Sequence, residues 1–453
     1  MINLFEYFDS KTKTLLESLQ LSGHNHLTIV MEDDGFLPDN ICTPYRFFSN
    51  NRITQYNKPR FFNDIDIPQY WEIEGNNEIA WIKNMGEVKG KIIYKQHFKY
   101  RVVKDVEWFD NQGRVRFIDH YTKEGIQFSQ TIMDINGTPI LKKYKDQQGK
   151  EIIYENYITN DIVVEWQGKS YFFDNKSAFI MFLLKIMNID QNTFLINSLS
   201  TPFTVLYNLQ RPGNDVLYWQ EHCGGDIPGN MKLIWGNTMV RKVNIIVPER
   251  AEYDLIMQNI DEGAKKHLNL GGYIYHYHKK NNYSNNVLTM TNSDQLANIE
   301  TIIQKCPEII FYIGAVTEMS SKLTSLEKYS NVKLFPTIDK TTIEALYNKC
   351  DVYLDINDGG EILNAVSKAF KYDMLIVGYE NIAHNVAFTL PELLVTKENQ
   401  SQELINILKK IYKDDKNFLT LHSMQKKYTN EISVNKFNRI FEESINKKPH
   451  SEK

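Results

Sequence analysis

Two stretches of the 453-residue chain hold side chains that could do chemistry. The first is Asp215–His222, which ends in the polar cluster Gln220, Glu221 and His222. An amide, a carboxylate and an imidazole together can both donate and accept hydrogen bonds to a polar ligand. They follow an apolar run that reads as a strand, and open α/β folds bind ligands at the carboxyl ends of their strands. The next segment, Ile227-Pro-Gly-Asn-Met231, admits two readings: part of that surface, or a plain turn into a helix with proline near its start. The second stretch, Cys350–Gly378, reads as strand, loop, helix and strand, with Gly360 and Glu361 in the loop and Lys368 on the helix. His276 and His278 would put two imidazoles on one face of a strand, but with no third ligand in sight a satisfied or solvated pair is favoured over a metal site. No Walker A sequence, no HExxH and no glycine-rich fingerprint after the first strand occurs. Leu270-Gly271-Gly272 precedes a strand and reads as a turn. No cofactor and no metal is expected.

The elements that must position these residues alternate in texture along the chain. Leu4, Phe8, Leu15, Leu16 and Leu19 suggest a first helix interrupted at Lys11-Thr12, followed by a short buried strand, His26–Met31. From Pro68 to Phe173, β-branched and aromatic runs are cut by turn signals at Gly75-Asn76-Asn77, Gln112-Gly113, Asn136-Gly137, Gln148-Gly149 and Gln167-Gly168. That is an antiparallel meander, whose edges must be covered or used for pairing. Ala178–Met187 reads as a buried helix. Strands at Phe194–Ser198 and Val216–Trp219, with a helix between them, close a parallel unit. A second alternating series begins at Lys242, with strands at Val243–Val247, Tyr273–His276, Ile309–Ile313, Val332–Phe335, Val352–Ile356 and Leu375–Val377. The expected class is α/β. A split Rossmann-like domain (1–67 and 174–240) holds an inserted antiparallel β-sheet domain (68–173). A second Rossmann-like domain (241–416) and a helical segment with tail (417–453) follow.

The Cys350–Gly378 stretch resembles the last donor-binding unit of retaining GT-B glycosyltransferases. Those enzymes carry two glutamates eight positions apart, which contact the donor sugar and the nucleotide ribose. Matching Lys368-Ala369 to the second glutamate and its alanine puts Lys368 and Gly360 at the two positions, so both carboxylates are missing. An ammonium only donates hydrogen bonds and cannot accept them from ribose hydroxyls. Glu361 lies one place out of register, and a reading in which the match slips by one leaves it as a donor carboxylate.

Together with Gly35–Asp39, Pro68–Glu72, Asn292–Gln295 and Gly314–Met319, these patches resemble one family across essentially the whole chain. It is the stabilising, or chaperone, subunit of the accessory Sec system's O-linked N-acetylglucosaminyltransferase, which glycosylates serine-rich repeat adhesins. The resemblance implies a non-catalytic chain with a catalytic glycosyltransferase subunit as partner, in a heteromer for which two-to-two is one arrangement. It implies that the serine-rich acceptor is bound near Gln220, Glu221 and His222 in a cleft between the Rossmann-like domains. The meander becomes the platform for the partner. An independently active UDP-sugar transferase, relying on Glu361, is the alternative.

Composition is compatible with this. With 52 basic and 56 acidic residues the formal charge is −4, so no broad field draws the chain to nucleic acid. Four scattered cysteines form no CxxC pair and read as reduced thiols. The N-terminus lacks the features of a signal peptide, and no apolar run is long enough to span a bilayer. The expected location is cytoplasmic, with peripheral attachment to the membrane's inner face implied by the resemblance. The lysine-bearing tail Asn446–Lys453 reads as a solvated end.

Overall fold

The computed structural model describes the chain except residues 52, 55, 56, 77, 97–100, 237, 293, 397–399 and 447–453. The chain divides into two compact units, residues 1–272 with 434–453, and residues 273–433. Apart from Asn446, the expected solvated tail lies outside the described residues.

The first unit is built on a seven-stranded parallel sheet. Its strands are β1 (Ile2–Phe5), β2 (Leu27–Val30), β3 (Ile41–Cys42), β14 (Phe194–Ile196), β15 (Asn214–Tyr218), β16 (Lys242–Val247) and β17 (Leu268–Leu270). They lie in the order β17-β16-β15-β14-β1-β2-β3. The order reverses between β1 and β14, which makes that junction the switch point of the sheet. All four residues of β1 are buried, as a central parallel strand covered on both faces requires. The expected helical stripe from Leu4 is therefore a strand up to Phe5, and the helix begins only at Ser10. The Asp9 side chain fixes that start by accepting from the Thr12 N–H at 2.8 Å.

The ten antiparallel strands β4 (Glu72–Gly75), β5 (Ile79–Asn84), β6 (Glu87–Tyr94), β7 (Val103–Phe109), β8 (Val115–Tyr121), β9 (Gln127–Met133), β10 (Pro139–Lys145), β11 (Glu151–Asn156), β12 (Ile162–Trp166) and β13 (Lys169–Phe173) pair strictly in sequence order. Several hairpins repeat one device. Asp110, Asp134 and Asp146 each accept from the backbone N–H groups two and four residues on, and a glycine of positive φ follows. The last strands fuse with the first unit's core: Tyr144, Ile153, Ile162 and Val164 pack in one cluster with Phe179, Ile180, Leu183 and Leu184 of helix Lys176–Ile186. Tyr45 stacks on Tyr144, and both hydroxyls donate to the buried Glu155, which also pairs with Lys176 at 3.0 Å. Gly35 closes the seam. Its φ of +81° and the 2.5 Å from a virtual Cβ to the Tyr121 carbonyl oxygen leave room for no side chain.

Three expectations about the remaining chain need correction. Val243–Val247 pairs with β15 in the first sheet, so it does not open the second unit. Tyr273–His276 forms no strand: Tyr273 makes a single bridge to Glu431, and the leading glycines follow β17. The final helical segment is two helices, Asp415–Tyr428 in the second unit and Val434–Asn446 in the first. The latter packs on β15, β16 and β17, with Phe437 and Phe441 buried, and the Asn244 amide donates to the Ser444 carbonyl at 2.7 Å.

The second unit is a six-stranded parallel sheet of β18 (Asn286–Thr291), β19 (Ile310–Ala315), β20 (Val332–Phe335), β21 (Val352–Asp355), β22 (Leu375–Tyr379) and β23 (Leu394–Val395), ordered β20-β19-β18-β21-β22-β23. Its switch point lies between β18 and β21. The strand β18 was not foreseen.

Candidate functional site

In the first unit, polar side chains gather beyond the carboxyl ends of β1, β14 and β15. Glu6 follows β1. It is buried, and it accepts from the hydroxyls of Ser198 at 2.9 Å, Ser200 at 2.9 Å and Thr201 at 3.3 Å. Ser198 and Asn197 follow β14, and the Asn197 amide donates to Thr12 and Gln220. The structure brings Gln220, Glu221 and His222 to this place but treats them differently. Gln220 is buried and donates to the Lys11 carbonyl at 2.9 Å, so it holds the loop rather than faces outward. Glu221 is exposed and has two long contacts, 3.2 Å each, to the Ser198 hydroxyl and the Leu199 N–H. His222 is exposed between Lys11, at 3.4 Å, and Glu252, at 3.4 Å. Lys11 also donates to the Gln220 carbonyl and to Glu249, both at 3.0 Å. Burial pushes the Glu252 carboxyl up, but donation from the Cys223 N–H, the Trp219 indole and His222 outweighs it and holds the group below the usual range.

Asp215, the first residue of that stretch, belongs to the core instead: it forms a fully buried pair with Arg241. Ile227–Met231 leads into helix Gly229–Trp235, and the Asn230 amide ties that helix to the Leu199 carbonyl at 2.8 Å. Sequence reasoning missed Glu6, Lys11, Ser198, Glu249 and Glu252. The available signal was a polar residue directly after a short apolar run, Phe5-Glu6 and Ile196-Asn197-Ser198, and it was lost because β1 was read as helix.

In the second unit the chain's own groups fill the switch point. The Thr291 hydroxyl donates to Asn357 Oδ1 at 2.7 Å across the β18–β21 junction, and the Asp358 N–H donates to the Gln295 carbonyl at 2.8 Å. His384 bridges Asp355, at 2.6 Å, and the Gly359 carbonyl, at 2.7 Å. Gly360 presents no side chain to this loop. Glu361 accepts from the Val366 N–H at 3.1 Å, in the first turn of helix Ala365–Lys371. The cap residue Asn364 there is left-handed and its side chain makes no capping bond, so Glu361 supplies the missing cap. Lys368 lies over the Tyr347 ring at 4.9 Å and near Tyr372 at 6.0 Å, and burial draws its ammonium below the usual lysine range. His276 and His278 lie outside any strand, ring centroids 5.6 Å apart. Among the described residues no group of three His, Cys, Asp or Glu could hold a metal ion.

His384 makes this loop pH-dependent. Hydrogen bonding and charge from Asp355, opposed by burial, raise its pKa to about 9. A histidine raised from an ordinary value near ~6.5 stabilises fully below that value, and the contribution is lost as pH rises through about 9. Hydrogen exchange of residues 355–361 is expected to accelerate, relative to the intrinsic rate, from pH 7 to pH 10. The variant His384→Gln should flatten that dependence.

Residues 2–48, 71–174 and 176–258 match the GtfB N-terminal, middle and third domains, and residues 287–425 match the GftB/GlyA-F C-terminal domain. The UDP-N-acetylglucosamine–peptide N-acetylglucosaminyltransferase stabilizing protein GtfB of Streptococcus agalactiae is 38% identical over 91% of this chain and 92% of its own length. The chain belongs to the GtfB family. The Streptococcus gordonii GtfB is 35% identical, over 96% of both chains. A chain in the crystal structure of a GtfA/B complex bound to UDP and GlcNAc superposes with a TM-score of 0.87 at 33% identity, over 98% of this chain and 99% of that one. The fold is thus GT-B-like, two Rossmann-like units with an antiparallel sheet inserted in the first. No helix among the described residues of this GtfB-family chain is long and apolar enough to cross a membrane.

Proposed function

We propose that this chain is the non-catalytic, stabilising subunit of a peptide O-GlcNAc transferase. In this reading it assembles with a catalytic glycosyltransferase that moves GlcNAc from UDP-GlcNAc to Ser or Thr, and it binds the serine-rich acceptor itself. Family membership supports the assembly, since the relatives are named as stabilising proteins of that transferase. The observation that carries the non-catalytic part is the state of Glu361 and Lys368. One carboxylate is used to cap a helix and the other donor position holds an ammonium on tyrosine rings. The acceptor-binding part draws on the exposed Glu221 and His222 at the carboxyl ends of the first sheet. The reading places the protein in the cytoplasm, peripheral to the membrane, in keeping with the accessory Sec resemblance; cell fractionation tests that.

Calorimetry of the isolated chain with UDP-GlcNAc is expected to show no saturable binding, and the chain alone should neither transfer the sugar nor hydrolyse the donor. Added to the catalytic partner, it should raise transfer to a serine-rich acceptor. Glu221→Ala with His222→Ala should lower that stimulation by about tenfold, the scale of one charged hydrogen bond. Tight donor binding abolished by Glu361→Gln would establish the independent-enzyme alternative instead.

A further inference from the structure

The proposed acceptor site contains one hydroxyl facing two carboxylates. Ser198 Oγ lies 2.9 Å from Glu6 Oε2 and 3.2 Å from Glu221 Oε1, and it accepts from the Ser200 N–H at 3.1 Å. A hydroxyl has a single proton to donate. Given to the nearer, buried Glu6, it leaves Glu221 Oε1 facing an oxygen lone pair. Given to Glu221, it costs Glu6 one of its three hydroxyl donors. Glu6 can sustain that loss, because Ser200 and Thr201 also donate to it. Among the described residues Glu221 has no donor to replace that proton: its other contact is the Leu199 N–H on Oε2, at 3.2 Å. Exposed as it is, Glu221 can take a donor from outside.

We infer that Ser198 is an internal stand-in for an acceptor hydroxyl, competing for Glu221 with a hydroxyl donor of the incoming chain. This rests on the acceptor-binding reading and deepens it: Glu221 is the specificity residue, and its ligand is a hydroxyl of the acceptor. When that hydroxyl arrives, the Ser198 proton turns wholly to Glu6, and Glu221 accepts from the ligand. The same chemistry is offered by a serine or threonine side chain and by a hydroxyl of a sugar already attached to it. Two substitutions at one hydrogen bond should therefore act in opposite directions. Removing Ser198 Oγ removes the competitor and tightens binding, whereas neutralising Glu221 weakens it.

The test is fluorescence anisotropy of the full chain with a labelled synthetic Ser/Thr-rich peptide, its Ser/Thr→Ala counterpart and its GlcNAc-bearing form. Ser198→Ala should bind the serine peptide about threefold more tightly and Glu221→Gln about tenfold more weakly, on the scale of a hydrogen bond to a charged group. Ser198→Thr keeps the hydroxyl and should match the wild type, which separates the effect from a disturbed helix start. Loss in Glu221→Gln confined to the GlcNAc-bearing peptide would make the donor a sugar hydroxyl, and equal loss on both would make it the side chain; either supports the inference. If Glu221→Gln weakens neither form, or if Ser198→Ala leaves unchanged or lowers the affinity for the form that Glu221→Gln weakens, the inference is wrong and the acceptor reading stands. Binding of the alanine peptide as tight as that of the serine peptide and of the GlcNAc-bearing form overturns it as well. If the wild type binds none of the peptides, alone or with the partner, the acceptor reading itself fails.

Discussion

Arg241→Met is expected to destabilise the first unit by about 3–5 kcal/mol, the range for stranding one member of a buried ion pair. Arg241 and Asp215 have no exposed side-chain surface. The guanidinium donates to both Asp215 oxygens, at 2.6 and 2.8 Å, and to the Asn192 carbonyl at 2.7 Å. It also lies over the Phe194 ring at 5.3 Å, and Gly213 packs so close that a Cβ there would come within 2.1 Å of it. Burial pushes the Asp215 carboxyl up against the pull of the guanidinium, so once Arg241 is gone the carboxylate must be protonated or hydrated. Asp215 also accepts from the Phe194 N–H at 2.8 Å, so the loss reaches the start of β14 as well as β15. Urea unfolding followed by tryptophan fluorescence measures the effect. The double variant Arg241→Met with Asp215→Leu should recover much of the lost stability, since replacing both charges by apolar groups avoids the stranded one. A double variant no more stable than Arg241→Met would mean that the carbonyl contacts, rather than the pair, hold this corner.

The sequence conceals this buried pair. Asp215 opens the stretch that closes on Gln220, Glu221 and His222, yet a strand carries its two termini to opposite ends of the sheet. The amino-terminal end meets Arg241 in the core, and the carboxyl-terminal end leads to Gln220, Glu221 and His222. The meander was legible because its signals are local: Asp-x-x-Gly hairpins and period-two alternation need no knowledge of distant partners. The parallel sheets were harder, since each strand's neighbour comes from far along the chain. β16 matches the texture of the second unit but pairs with β15 in the first. Val434–Asn446 could not be assigned to the first unit from its pattern alone, because an amphipathic helix does not say which sheet it covers. At the candidate site, the position of Glu221 and His222 beyond a strand's carboxyl end was legible. Lys11 and Glu6 were not, because their roles depend on a sheet order that sets β1 beside β14.

Phe117→Glu combined with Ile135→Glu is expected to weaken binding of the catalytic partner by about 100-fold, the scale of losing two anchors at an interface. Ile82, Gly90, Trp108, Phe117 and Ile132 stand opposite one another across five strands and so share one face. At the β5 side this rung is closed, with Ile82 fully buried. Gly90 leaves room for Trp108, whose indole donates to Asp119 at 2.7 Å. Past Trp108 the cover ends. Phe117 is 42% exposed, and the hairpin-tip residues Ile135 and Met85 are 59% and 96% exposed. Phe117 on this face and Ile135 at a hairpin tip are the exposed apolar side chains we take as anchors for the partner. Edge pairing, the route suggested by the meander alone, is less well served: β4 is four residues long and carries Glu72 and Glu74, features that discourage strand addition. Trp166 is taken up inside the unit, against Phe48 and Phe182, and is not free to dock. Neither substituted side chain lies in the buried core, so the double variant should keep the circular dichroism and unfolding midpoint of the wild type. Co-purification with the catalytic subunit, and transfer to a serine-rich acceptor, should both be lost together. A folded double variant that still assembles at full affinity would move the interface off this face and onto the Rossmann-like units.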